Sequence, residues 1–209
     1  MTRSYHQYCP IAHALDLVGE RWSLLVVREL QHGPLRYTDL HARLHGASTN
    51  VLATRLRELE RSGVVRRARL PAPAATTVYE LTALGAGLAP VLRELAHWGA
   101  RSLGPPTEDV ELHPGWLERA LRTALGDRAP AGSVELRVGR EVACVVDGDV
   151  RGEPAEDPDV VLSCDAAAVF HLLVEGIVPH DAVVEGDAAA VERLAAAAPR
   201  RTGLTAEPA

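Results

Sequence analysis

Ser48-Thr49-Asn50-Val51-Leu52-Ala53-Thr54-Arg55-Leu56-Arg57-Glu58-Leu59-Glu60-Arg61-Ser62-Gly63 is the stretch that decides the fold of this 209-residue chain. Ser48 stands just ahead of an apolar period, where its hydroxyl can accept from the free N–H groups of a first helical turn. Leu52, Leu56 and Leu59 follow at i, i+4 and i+7 and make one apolar stripe. Asn50, Thr54, Arg57 and Arg61 fall on the opposite side, and these are side chains that reach base edges and phosphates. Gly63 is a helix stop. Residues 64–70, with Arg66, Arg67 and Arg69, then read as a strand. Pro71-Ala72-Pro73-Ala74-Ala75 cannot continue that strand and reads as a hairpin tip; residues 76–81 read as the returning strand. Helix, strand, tip and strand is the pattern of a winged helix. A leucine stripe alone is equally the mark of ordinary core, so the hairpin and its arginines carry the argument.

The flanking segments agree. Pro10 suits a first helical position, and Ile11, Ala14, Leu15 and Val18 share a face that Gly19 ends. Trp22, Leu25, Val26 and Leu30 make a second face, stopped by His32-Gly33-Pro34. Thr38 is placed to cap a brief helix from Asp39 to Leu44, and His45-Gly46-Ala47 turns the chain into Ser48. A short helix, a turn and a longer capped helix make a helix-turn-helix. After the hairpin, Thr82 is placed to cap a long helix through Leu84, Leu88, Val91, Leu92, Leu95 and Trp98, with Pro90 expected to kink or split it. An apolar stripe left over after the winged unit is complete is an oligomerisation face.

Charge is divided along the chain. Residues 1–104 hold thirteen arginines and eight carboxylates, a balance of +5, and the remainder carries −11 against a total of −6. A basic half joined to an acidic half places nucleic acid on one side only. There is no run long and apolar enough to cross a membrane, and MTRSYHQYCP has no secretion-signal core. Cys9, Cys144 and Cys164 make no metal spacing, and an odd thiol count suggests a reducing cytoplasm. No histidine pattern, phosphate loop, nucleophile elbow or catalytic carboxylate pair is present, so an enzyme is not expected, and no cofactor.

Residues 105–109 read as a linker by composition. An amphipathic helix over residues 114–125 follows. Three alternating runs come next, Val134/Leu136/Val138, Val142/Cys144/Val146 and Val160/Leu162/Cys164, each expected in an antiparallel sheet. Asp165 is placed to cap a helix to Val174, residues 182–186 read as a last strand, and Asp187 caps a terminal helix to Ala198. The tail, residues 200–209, is expected to be disordered. The fold class is therefore α+β: an N-terminal winged helix-turn-helix over residues 1–104 and a small sheet-plus-helices domain over residues 110–199.

Two resemblances extend this reading. Cys9-Pro10, residues 15–22 (LDLVGERW), residues 30–40 (LQHGPLRYTDL), Ser48, Leu52, residues 55–60 (RLRELE) with Gly63, and residues 79–85 (YELTALG) resemble the HxlR family of winged-helix transcriptional regulators. The resemblance implies a homodimer that binds double-stranded, pseudo-palindromic operator DNA, with the second helix of the motif in the major groove and the wing on flanking backbone. Carried onto this chain, Ser48, Thr49, Asn50, Thr54 and Arg57 are base-facing candidates. Arg36 and Thr38 are phosphate candidates, and Arg66, Arg67 and Arg69 are wing candidates, with Arg67 and Arg69 on one face of the strand. Arg55 is either a phosphate clamp or a member of an internal ion pair. The dimer seam would use the first helix and Leu88, Leu92, Leu95 and Trp98. Residues 159–165 (DVVLSCD) with their helix, residues 182–187 (AVVEGD) and the last helix resemble a sterol-carrier-protein type-two domain. That resemblance implies helices over one sheet face and an apolar tunnel; its lining candidates are Trp116, Leu117, Leu121, Val142, Cys144, Phe170, Leu173 and Val174.

The expectation is a cytoplasmic, dimeric DNA-binding regulator, a repressor before an activator, controlled by a hydrophobic small molecule in the C-terminal domain. Two rivals stand beside it. One is a thiol-switch regulator sensing through Cys9, which precedes a helix N-terminus where the dipole favours a thiolate. The other is a lipid carrier or scaffold that uses the winged helix only to dimerise.

Overall fold

Short polar caps punctuate the chain. The computed structural model describes residues 4–71, 75–107, 110, 112 and 114–198, apart from the side chain of Arg101. The expected wing tip at Ala72-Pro73-Ala74, the linker residues Glu108 and Asp109 and the tail 200–209 lie outside the described residues. The chain divides into two units, Met1–Leu92 and Arg93–Ala209.

In the first unit Pro10 opens α1 (Pro10–Val18), followed by α2 (Ser23–Leu30), α3 (Tyr37–Arg43) and α4 (Thr49–Arg61). The Ser48 hydroxyl accepts from Val51 N at 3.4 Å and starts α4 as expected. Leu52, Leu56 and Leu59 have no exposed surface and pack with Val26, Val27, Leu30 and Leu40. Burying each is worth about 1.5–3 kcal/mol, enough to fix which face of α4 turns inward. Antiparallel strands β1 (Val65–Arg69) and β2 (Thr77–Leu81) form the wing, with Arg67 opposite Tyr79. Leu35 adds one bridge on the far edge of β2; its N–H donates to Tyr79 O at 3.0 Å and its carbonyl accepts from Tyr79 N at 2.8 Å.

Thr82 ties the wing to the next helix. Its hydroxyl donates to Gly63 O at 2.6 Å and accepts from Gly85 N at 3.2 Å, capping α5 (Ala83–Ala86). A Cβ on Gly85 would sit 2.1 Å from Val64 O, so only glycine lets α5 approach β1 this closely. Pro90 splits the long helix expected here: α5 ends, and α6 (Ala89–Leu103) restarts with Pro90 in its first turn. Of the four seam candidates on this stretch, Leu88 and Leu92 instead pack against the first unit's own core, while Leu95 and Trp98 are exposed together with Val91. The stripe as read in the sequence is two stripes, about 100° apart on one helix.

The second unit contains α7 (Trp116–Leu125), β3 (Ser133–Val138), β4 (Glu141–Val146), β5 (Asp149–Arg151), β6 (Val160–Ser163), α8 (Ala166–Phe170), β7 (Val183–Gly186) and α9 (Ala188–Ala197). Asp165 accepts from Ala168 N at 2.7 Å and Asp187 from Ala189 N at 3.0 Å, the two caps expected of them. The helix begun at α8 widens into a π-turn over His171–Glu175 and ends at Gly176 in a left-handed conformation. Val134, Leu136, Ala143, Val145, Val150, Val160 and Leu162 share the sheet face that packs with α7, the π-turn and α9.

The sheet corrects the antiparallel expectation. Its order is β5-β4-β3-β6-β7, and its central pair, β3 and β6, is parallel. The reason is topological. After the antiparallel run β3-β4-β5 the chain points along β3; entering β6 directly would make it antiparallel, but residues 152–159 lead back to the start of β3, so Val160 pairs with Val134 and β6 runs parallel. Periodicity reports which face is buried but not which way a strand runs. The returning segment is held by Glu135, whose side chain leaves β3 on the face away from the helices. Glu135 is 1% exposed; its carboxylate accepts from Ala155 N at 2.8 Å and from Arg137 Nε at 2.6 Å.

Two substitutions test these contacts. Gly85→Ala should destabilise the protein by about 1–3 kcal/mol through overpacking, read as a lower urea midpoint; an unchanged midpoint would show that α5 moves away without cost. Glu135→Ala should cost about 1–3 kcal/mol by orphaning the half-buried Ala155 amide. Increased amide hydrogen exchange at Ala155, with the wing unaffected, would locate the loss in the returning segment, and unaltered exchange there would refute its role as the pin.

Candidate nucleic-acid interface

Buried leucines turn the other side of α4 to solvent. Ser48, Thr49, Asn50 and Arg57 are exposed and Thr54 is half-buried. Arg57 folds along its own helix: Nε donates to Ala53 O and Nη2 to Thr54 Oγ1, each at 3.2 Å. Val51, absent from the sequence-based candidates, is 38% exposed at the same end and is an apolar group of the kind that meets a thymine methyl.

The remaining arginines sort by their neighbours. Arg55 points inward, its side chain 15% exposed, against Glu58 on α4 and Glu20 after α1, the latter at 3.6 Å. Of the two roles open for Arg55, the geometry is that of the internal ion pair. Arg67 meets Glu60 at 3.0 Å, with its guanidinium 5.4 Å from the Tyr79 ring centroid, so it joins the wing to α4. Arg66 meets Glu80 across the strands at 2.7 Å. Arg69 is exposed near the end of β1, opposite Thr77.

Arg36 and Thr38 are exposed at the start of α3, but their roles there differ from the expectation. The helix starts at Tyr37, with Arg36 in the cap position, where its N–H donates to Asp39 Oδ2 at 3.4 Å. Thr38 is inside the first turn and donates to Asp39 Oδ1 at 3.4 Å. Extended Leu35, held by its bridge to Tyr79, starts the helix two residues earlier than Thr38 would.

Two groups escaped the sequence reading, one fastening α3 to α4 and one linking α2 to α3. Tyr37 Oη donates to Thr49 O at 2.8 Å, fastening the start of α3 to the first residue of α4. Glu29 is 1% exposed on α2, bound to Arg28 at 2.6 Å and facing Arg43 of α3 at 3.7 Å. A polar residue on an apolar helix face was the available signal for Glu29; Tyr37 gave none, since its partner is a carbonyl oxygen.

All three thiols are free. Cys9 is half-buried and precedes α1, where its carbonyl accepts from His13 N at 2.9 Å. Burial pushes the Cys164 thiol up to about 11, helped by Asp165 and Asp181. Burial also raises Cys144, with nearby Arg151 opposing it. Both are therefore neutral, poorly nucleophilic thiols near pH 7.

The tunnel candidates divide between the two sheet faces. Leu117, Leu121 and Leu173 belong to the core between helices and sheet, and Trp116 packs against it. Phe170 is buried and Val174 half-buried. Val142 and Cys144 instead point to the opposite face, registered beside Arg137 and Glu135. In the apolar run 142–146 both alternations look buriable, and a shift of one residue exchanges the faces.

Comparison with known proteins covers this N-terminal region. A family model described as HxlR-like helix-turn-helix matches residues 17–106. The chain is 37% identical over 100 residues to the helix-turn-helix transcriptional regulator YvaP of Bacillus subtilis, spanning 47% of this chain and 93% of YvaP. The chain belongs to the HxlR-like helix-turn-helix family of transcriptional regulators. Its role as a regulator is non-enzymatic, as are those its relatives are named for. It is also 34% identical over 98 residues to the regulator YodB of the same organism, across 46% of this chain and 88% of YodB. The solved reduced form of YodB is 32% identical and covers 48% of this chain and 100% of its own, with a TM-score of 0.41. Among the described residues no helix is long and apolar enough to cross a membrane.

The raised thiol pKa values predict the order of alkylation. In a short iodoacetamide pulse at pH 7.5, Cys164 should react more than about a hundredfold slower than an unperturbed cysteine, and its rate should climb only as the pH approaches 11. Urea should abolish the difference. Fast native labelling of Cys164 at pH 7.5 would contradict the burial described here.

Proposed function

We propose that this member of the family is a sequence-specific DNA-binding repressor. It acts as a homodimer on a pseudo-palindromic operator, with α4 of each protomer in a major groove. The carrying observation is the polar, solvent-facing row Asn50, Thr54 and Arg57, fixed in direction by three fully buried leucines on the same helix. Ser48 and Thr49 would face the bases beside them, Arg36 and Thr38 would meet neighbouring phosphates, and Arg69 would meet backbone beside the wing. Arg67 would do so only after giving up Glu60.

A second copy would cover apolar surface that is open in the single chain: Ile11 and Leu15 of α1, and Val91, Leu95 and Trp98 of α6, the last 68% exposed. Residues 1–104 would then be the DNA-binding and dimerisation part and 105–109 a linker. Residues 110–199 would be a sterol-carrier-like domain for a hydrophobic effector. Helices gathered over one sheet face, with Leu117, Leu121, Leu173 and Trp116 in the layer between, support that last assignment. Such an effector can act only if it binds the DNA-bound and free states with different affinity. A rival thiol switch would act through Cys9, because Cys144 and Cys164 are held neutral.

The test is a mobility-shift titration of the purified full chain against DNA upstream of its own gene, at several salt concentrations. Specific binding should fall steeply with salt and weaken about tenfold or more in Arg57→Ala. Absence of any sequence-specific binding at low salt would reject the regulator mechanism and favour the scaffold rival. Adding a saturating long-chain fatty acid as probe should shift the titration if the C-terminal domain senses such molecules. A response to oxidant that vanishes in Cys9→Ser would favour the thiol switch.

A further inference from the structure

The three outward residues of α4 differ in what holds them. Asn50 is exposed, and its amide has no partner among the described residues. Arg57 is exposed and has no carboxylate partner among them, in contrast to Arg55, Arg61, Arg66 and Arg67, which face Glu58, Glu58, Glu80 and Glu60. Its guanidinium is nevertheless oriented, because Nε and one Nη2 hydrogen are taken by Ala53 O and Thr54 Oγ1. That leaves the second Nη2 hydrogen and both Nη1 hydrogens without a hydrogen-bond partner among the described residues. A planar fork of this kind matches guanine O6 and N7, and a free carboxamide matches adenine N6 and N7. Prior orientation lowers the ordering cost of binding.

Resting on the DNA-binding reading above, we propose that α4 reads an adenine through Asn50 and a guanine through Arg57. Thr54 acts as the residue that positions the Arg57 fork. The Arg57 fork, folded back onto Ala53 O and Thr54 Oγ1, lies three to four positions from Asn50, which is about 5–6 Å along a helix rising ~1.5 Å per residue. At ~3.4 Å per base pair, the two bases lie about one to two base pairs apart in each half-site. The operator half-site therefore carries an A·T pair and a G·C pair at that spacing, repeated by the two-fold axis.

The experiment selects binding sites from random double-stranded DNA with the full-length protein. It then measures every single-base change in the selected site for the wild type, Asn50→Ala, Arg57→Ala, Thr54→Val and Thr54→Ser. The wild type should discriminate the guanine by roughly ten- to a hundredfold. Arg57→Ala should erase discrimination at that position while keeping it at the adenine, and Asn50→Ala should do the reverse. Thr54→Val should weaken guanine discrimination and Thr54→Ser should restore it, a pattern that a purely structural role for the hydroxyl would not produce. A selected site without the spaced adenine and guanine overturns this inference and leaves the regulator reading intact. So does an Arg57→Ala loss spread evenly over all positions, as for a phosphate contact. Failure of the wild type to select any sequence overturns the regulator reading itself.

Discussion

Rotation of α4 about its own axis is the constraint on which the first unit depends. Leu52, Leu56 and Leu59 have no exposed surface, and turning the helix by even one residue position would bring a charged side chain into their place. The core therefore decides which residues meet solvent without any outward contact having to do so. Tyr37, through the Thr49 carbonyl, fixes where the helix begins, and Ser48 supplies its cap. Arg55 with Glu20 and Glu58 links the middle of the helix to the end of α1. The outward row is as well defined as the packing behind it.

The basic excess of the first half is spent unevenly. Arg55, Arg66 and Arg67 lie against carboxylates of their own unit, and such pairs, where exposed, contribute little stability. Their larger effect is to remove those cations from the set open to a polyanion. What is left for DNA is concentrated at the start of α3, on the outer side of α4 and near the end of β1. A count of arginines overstates the electropositive surface, and the ion-pair geometry shows where it remains.

How much of this was readable in the sequence depended on the kind of feature. Most caps were readable: Ser48, Asp165 and Asp187 are short polar residues immediately ahead of apolar periods, and each caps the helix assigned to it, whereas Thr82 caps only the short α5 instead of a helix reaching Trp98, and Thr38 lies inside the first turn of α3 instead of capping it. So was the inward stripe of α4, where three leucines contrast with charged neighbours. The face of β4 was not, because residues 142–146 are apolar at both parities and only pairing with β3 separates Ala143 and Val145 from Val142 and Cys144. The three-residue strand β5 is too short to show a period. The inward turn of Leu88 and Leu92 was hidden by Val91 and Leu95 beside them. The internal pairing of Arg55 was left open in the sequence because Glu58 at i+3 alone does not decide whether the side chain turns inward, and its second partner Glu20 is distant in the chain. Local chemistry was visible, whereas register, strand direction and partner choice are set by the tertiary fold.

The parallel pairing of β3 with β6 bears on how the chain is made. β3 is the central strand, yet one of its edges is completed only by residues 160–163. As the chain emerges from the ribosome, β3, β4 and β5 are available first, with the amides and carbonyls of that edge open. An open edge is a template for pairing with another chain. Nascent or truncated forms ending before β6 would thus carry an adhesive central strand, and Glu135 would have no Ala155 amide to bind. Completion of the second unit comes late in synthesis, and until then its safety rests on how briefly that edge stays open.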